Sequence, residues 1–174
     1  MIGYKSYDGN KIKEEDILNK HFHLDGEIKF HKRGYHYCKR IEDTLRYSGG
    51  INNSNIIIAK IKANNIIDEG SDEYYGFYDM YATSDLYVDK ILTRKEIIEY
   101  FLNENNENRV KRFIESYKLN EVEMELFKLK CIDNAQLTKT IEYYQEGKKD
   151  AFHVDRKIKR GKIYENKKQF KKEL

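Results

Sequence analysis

The chain has 174 residues, 39% of them apolar and 36% charged, with a formal net charge of +3 and no proline or tryptophan. This length suits one domain and buries roughly 70% of the unfolded surface, so folding requires neither a metal nor a disulfide. Two distant cysteines, Cys38 and Cys131, exclude a disulfide framework. The longest aliphatic run, Ile56-Ile57-Ile58-Ala59, is far short of the ~20 residues of a membrane-spanning helix.

Residues 2–7 alternate and stop at Asp8-Gly9, which predicts a strand and a turn. No apolar signal-type stretch stands at the start, and with reduced cysteines the expected location is cytoplasmic. His21-Phe22-His23-Leu24, Asp25-Gly26 and Glu27-Ile28-Lys29-Phe30 together predict a β-hairpin, because Asp-Gly between alternating runs suits a tight turn. Residues 34–38 read as another strand. Residues 40–47 place Ile41, Thr44 and Leu45 on one face of a short helix that stops at Gly49-Gly50. Residues 54–62 and 86–92 read as buried strands.

From Thr93 the period changes. Thr93-Arg94-Lys95-Glu96 has capping-box spacing ahead of Ile97, Ile98, Phe101 and Leu102. After the polar stretch 103–108, three more helices are expected. Residues 109–117 present Val110, Phe113, Ile114 and Tyr117. A second helix, capped at Asn120, points Val122, Leu126 and Leu129 inward. A third, over 133–146, carries Leu137, Ile141 and Tyr144 and closes at Gly147. Strands followed by helices predict an α+β fold, with a small, mainly antiparallel sheet and one short helix ahead of a helical half. The expected division is a strand-rich domain over 1–103, a helical subdomain over 104–147 and a basic tail over 148–174.

The charge is uneven. Residues 156–174 hold nine basic and two acidic residues, net +7, while the other 155 residues carry 24 against 28, net −4. Tail residues Lys157, Lys159, Arg160 and Lys162 are therefore candidate phosphate contacts, with Tyr164 and Phe170 placed to stack on bases. A solvated terminus, or a tail docked on the acidic body of its own chain, fits the same composition. Tyr74, Tyr75, Phe77, Tyr78 and Tyr81 form an aromatic band among acidic residues, a composition suited to a protein-binding face.

His21, His23, His31, His36 and Cys38 form the densest cluster of metal-ligand types. On strands His21 shares a face with His23, and His36 with Cys38, so neighbouring strands would offer four zinc-type donors. Without a Cys-x-x-Cys or a helical His pair, they read as polar aromatics on a sheet, and no metal is expected. Gly-x-Gly-x-x-Gly, a Walker loop and a nucleophile elbow are all missing, which removes Rossmann-type dinucleotide binding and P-loop hydrolysis.

Gly3-Tyr4-Lys5, Asp25-Gly26-Glu27 and Gly34-Tyr35-His36-Tyr37-Cys38 stand ahead of a short helix and an aliphatic strand. In these features residues 1–100 resemble a small uncharacterised domain that recurs in phage and mobile-element genes. The resemblance covers the front half and implies no assigned activity; together with the tyrosine band and the two-signed charge it motivates an interaction protein that binds and inhibits a host protein or ribonucleoprotein, anti-defence action included, with no cofactor and no membrane partner expected. More distantly, the order of elements is similar to the core of ADP-ribosyltransferases. That likeness implies NAD, with Tyr4 or Lys5 on an early strand and His36 with Tyr35 or Tyr37 on a middle one. Asp85 then stands where the family carries its catalytic Glu, and its shorter side chain reaches a ribose hydroxyl poorly, since such contacts need about 2.6–3.2 Å. Three functions follow as alternatives: an inhibitory interaction protein, a transferase-like enzyme or its inactive relative, and a nucleic-acid binder acting through the tail.

Overall fold

The computed structural model describes residues 1–30, 32–72 and 78–145. The fold is α+β, with five antiparallel strands and six helices among these residues. Strand β1 (Ile2–Asp8) is followed by a one-turn helix α1 (Glu14–Ile17), β2 (His21–His23) and β3 (Tyr35–Cys38). Helix α2 (Ile41–Thr44) continues into 3-10 turns at Leu45–Ser48 and Gly50–Asn52, then into β4 (Ile56–Asp72) and β5 (Tyr78–Ile91). Helices α3 (Arg94–Leu102), α4 (Glu107–Ser116), α5 (Glu121–Lys130) and α6 (Ala135–Gln145) complete the described chain.

Strands β5, β3, β1 and β4 pair in that order, and β4 pairs again with β5, so the four close into a ring with β2 added on β5. The aliphatic alternation of β4 sets its two faces. Ile58 points to the helices, while Ala59, Ile61 and Ala63 join Tyr37, Tyr81, Leu86 and Val88 in a second cluster drawn from the strands. The larger cluster is shared: Ile41, Leu45 and Ile58 from the front half pack with Phe101, Phe113, Ile114, Phe127 and Ile141 from the helices. Phe113 lies at its centre, stacked on Phe101 at 3.9 Å and on Tyr117 at 5.0 Å between ring centroids.

Helix starts follow the capping expected from sequence. The Thr93 and Asn120 side chains accept from the N–H of Glu96 and Glu123, and each Glu carboxylate accepts from the cap residue's own N–H. Helix α6 ends on Gln145, whose buried amide accepts from Leu119 N–H at 3.0 Å and donates to Tyr117 O at 2.8 Å.

Three expectations are corrected. The hairpin at Asp25-Gly26 does not form: β2 pairs with β5, His21 opposite Tyr87 and His23 opposite Asp85. Phe22 thereby packs on Tyr35 and Ile28 is buried under Gly34, so tertiary burial outweighs the local turn signal. Strands β4 and β5 also run far beyond the expected aliphatic cores, pairing through Asp72 and Tyr78.

Helix α5 is rotated from its expected orientation. Phe127 is fully buried and Glu123 nearly so, whereas Val122, Leu126 and Leu129 are 71%, 41% and 64% exposed. The aromatic contact of Phe127 with Phe113 and the Arg94–Glu123 pair fix the opposite face inward. One Phe well seated in an aromatic cluster outweighs three aliphatic side chains, since aromatic contacts add to a large buried area.

Candidate functional site

Strand β1 delivers Tyr4 and Lys5, β3 delivers His36 and β5 delivers Asp85. Tyr4 lies opposite Cys38 and packs toward the helical core beside Tyr100 and Arg109, and burial raises its hydroxyl pKa. The Lys5 ammonium donates to the His36 carbonyl at 2.7 Å, and burial lowers its pKa. His36 pairs with Ala82, and its ring meets the Phe30 edge. Asp85 is three residues further along β5, which places it on the other face of that strand. There it takes His21 Nε2 at 2.8 Å, with His23 Nδ1 at 3.5 Å and Asn64 Nδ2 at 3.3 Å. The hydrogen bond from His21 is the main reason its carboxyl sits below the ordinary aspartate value. The structure therefore brings Lys5 to the backbone of His36 but leaves Asp85 with a different pair of imidazoles.

The Gly3-Tyr4-Lys5 segment lies against the Gly34–Cys38 segment. A Cβ at Gly3 would lie 2.5 Å from the Tyr37 ring and 2.8 Å from Cys38 O, so only glycine lets β1 approach β3 there. Gly34 has φ +141°, and a Cβ would lie 2.8 Å from Ile28. Tyr37 is buried and its hydroxyl is pushed up to about 12 by burial. Packing of this kind accounts for the glycines and aromatics without any substrate.

His21 and His23 sit on β2 and the pair His36 and Cys38 on β3, and these two strands pair with successive stretches of β5 rather than with each other. Among the described residues no group of three or more His, Cys, Asp or Glu is placed to hold a metal ion. No described helix is long and apolar enough to cross a membrane.

Within the aromatic band, Tyr81 is 5% exposed and stacks on Tyr37 at 5.6 Å, with Lys39 Nζ 4.5 Å above its ring, so it supplies no free contact area. Tyr74, Tyr75 and Phe77 lie outside the described residues, as do His31, Lys157, Lys159, Arg160 and Lys162, and Tyr78 is described only as the first residue of β5. The backbone on either side of the band forms an arm. Strand β4 leaves β1 after Lys62, and beyond Ala63 no described strand pairs with its outer edge over residues 64–72. Asn65, at φ 49°, and a register shift between Ile66 and Asp68 bend that edge. From Ala63 to Asp89 the sequence carries seven carboxylates and no Lys, Arg or His.

One constellation was not foreseen. Glu42 is fully buried and accepts from Arg109 Nε at 2.6 Å and Nη2 at 3.1 Å, and Arg112 Nη1 reaches Asp43 at 2.8 Å. Arg109 also meets Glu104 and donates to Tyr100 Oη at 2.8 Å. The Glu42 hydrogen bond is the main reason the Arg109 pKa rises. The partners lie 67 and 69 residues apart, and each sequence segment alone reads as a solvated charged face. This network joins α2 to α4. A cleft of about 200 Å³ nearby, lined by Glu104, Glu107, Lys130, Cys131 and Asp133 among others, takes no residue from β3.

No protein-family model, no curated protein and no solved structure matches this chain.

Proposed function

We propose that this chain is a non-catalytic interaction protein of a phage or mobile element, which binds and inhibits a host protein or ribonucleoprotein. The observation that carries the reading is the β4–β5 arm, with an outer edge over residues 64–72 that no described strand pairs with, and its uniformly acidic sequence. An open edge offers backbone N–H and C=O groups to an added strand. Carboxylates favour a basic partner surface and repel phosphate, so the expected target is a host protein, including the protein part of a ribonucleoprotein.

The test is affinity capture from host lysate, with and without nuclease, comparing wild type with Asp68→Lys/Glu69→Lys. We expect a protein partner retained after nuclease and lost in a charge-reversed variant that keeps the wild-type unfolding midpoint. An empty eluate, or capture indifferent to the arm, overturns the reading. Loss of the partner with nuclease moves the function to the basic tail and nucleic acid.

The separation of Asp85 from His36 weighs against the transferase-like alternative. NAD is accordingly expected to leave the unfolding midpoint unchanged, and a stabilisation abolished by His36→Ala would restore that alternative.

A further inference from the structure

Helix α5 presents Val122, Leu126 and Leu129 at i, i+4 and i+7, one continuous stripe, and Ile132, 70% exposed, extends it past the helix end. Glu121, Glu125 and Asp133 are exposed beside it. Of the cations on the helix, Lys128 is paired to Glu125 at 3.0 Å, and Lys130, four residues after Leu126, flanks the stripe on the side away from Glu125. An apolar stripe rimmed by carboxylates fits a segment that is apolar on one side and basic on the other.

Such a segment belongs to the same chain. Residues 148–163 contain Phe152, Val154, Ile158 and Ile163 among Lys148, Lys149, Arg156, Lys157, Lys159, Arg160 and Lys162. Its starting point is fixed. Gln145, the last described residue, is hydrogen-bonded to Leu119, one residue before the Asn120 cap of α5. Gln145 therefore lies near the N-terminal end of α5, where Val122 stands, and the sequence has Gly147 two residues further on. The stripe from Val122 to Ile132 spans about 15 Å at helical rise, within reach of ten residues in any conformation.

We propose that residues 148–163 of this chain dock on the exposed face of α5. Phe152, Val154 and Ile158 cover Val122, Leu126 and Leu129, while the interleaved cations lie against Glu121, Glu125 and Asp133. This site is independent of the β4–β5 arm and does not rest on the function proposed for it.

Hydrogen exchange on the full chain, read by mass spectrometry, tests the proposal. Amides of residues 150–160 are expected to exchange at least tenfold more slowly than an unstructured chain, equally at high and low protein concentration. Leu126→Asp/Leu129→Asp should return them to the unstructured rate, and Phe152→Asp/Ile158→Asp should do the same from the other side. Both pairs lie outside the two described cores, so the unfolding midpoint should hold. Exchange at the unstructured rate in wild type overturns the proposal, as does protection that survives both variants. Protection that disappears on dilution, together with a dimer mass by light scattering, assigns the stripe to a second copy instead.

Discussion

Helices α4 and α5 are neighbours of equal length, ten residues each, and both start from an asparagine cap. Yet α4 buries Val110, Phe113 and Ile114, whereas α5 buries Phe127 and leaves three aliphatic side chains in solvent. The difference lies in what each helix faces. Helix α4 is wedged between the front half and α6, so its inward face meets apolar side chains from both sides and its arginines meet buried carboxylates on α2. Helix α5 packs on α3 and α6 through one face, on which Phe127 meets Phe113 and Glu123 meets Arg94. Amphipathic pattern therefore orients a helix only when one side of it is the single place to hide; with apolar residues all round, the best individual contact decides.

The comparison breaks most sharply at the ion pairs. Arg109→Met leaves buried Glu42 the longer contact to Arg112 at 3.6 Å and should cost about 3 kcal/mol in urea unfolding. The corresponding Arg94→Met on the α5 side should cost about 1 kcal/mol, because Arg94 is 42% exposed and the pair is solvent-screened. Next comes the junction between the two helices. Gln145→Leu strands the buried Leu119 N–H and should cost about 1–3 kcal/mol, read as a lower midpoint with unchanged slope.

Caps give smaller and more equal effects: Asn106→Ala and Asn120→Ala should each cost about 1 kcal/mol by the same measurement. Acid then separates α4 from α3. In α3 the Glu96 carboxylate, held by Lys90 and the Thr93 cap, titrates at about 2 instead of 4.5. A depressed folded pKa gives a contribution present above the unfolded value and lost as pH falls. The stability difference between wild type and Glu96→Gln should therefore shrink between pH 4.5 and pH 2. Helix α4 has no capping-box carboxylate at its third residue; the Asn106 N–H donates to Glu104 Oε1 at 2.9 Å instead.

Local chemistry was legible. The capping boxes at Thr93 and Asn120, the short helix after Arg40 and the alternation through Ile56–Ile61 each depend on neighbours within a few residues. Partner choice was not. Asp25-Gly26 carries every local signal of a hairpin, and the open edge of β5 competes successfully for His21–His23. The arm was hidden because Asn64, Asn65, Asp68, Gly70 and Asp72 have poor strand propensity, and only cross-strand pairing holds them extended. Among candidate site residues, the transferase likeness put Tyr4 or Lys5 and His36 on two strands of one site, and the structure has Lys5 donating to the His36 carbonyl. Sequence could not show that Asp85 faces His21 and His23 instead, because that depends on the β2–β5 register.

The buried carboxylates of α2 bear on how the chain is made. Glu42 and Asp43 leave the ribosome well before Arg109 and Arg112, 67 and 69 residues later. At about 5–20 residues per second that interval is roughly 3–13 s. Throughout it, two carboxylates that end with almost no solvent contact must stay hydrated, and Ile41, Leu45 and Ile58 beside them have no helix to cover them. The nascent front half thus waits in an open form until α4 emerges, and the arrival of two arginines closes the larger core.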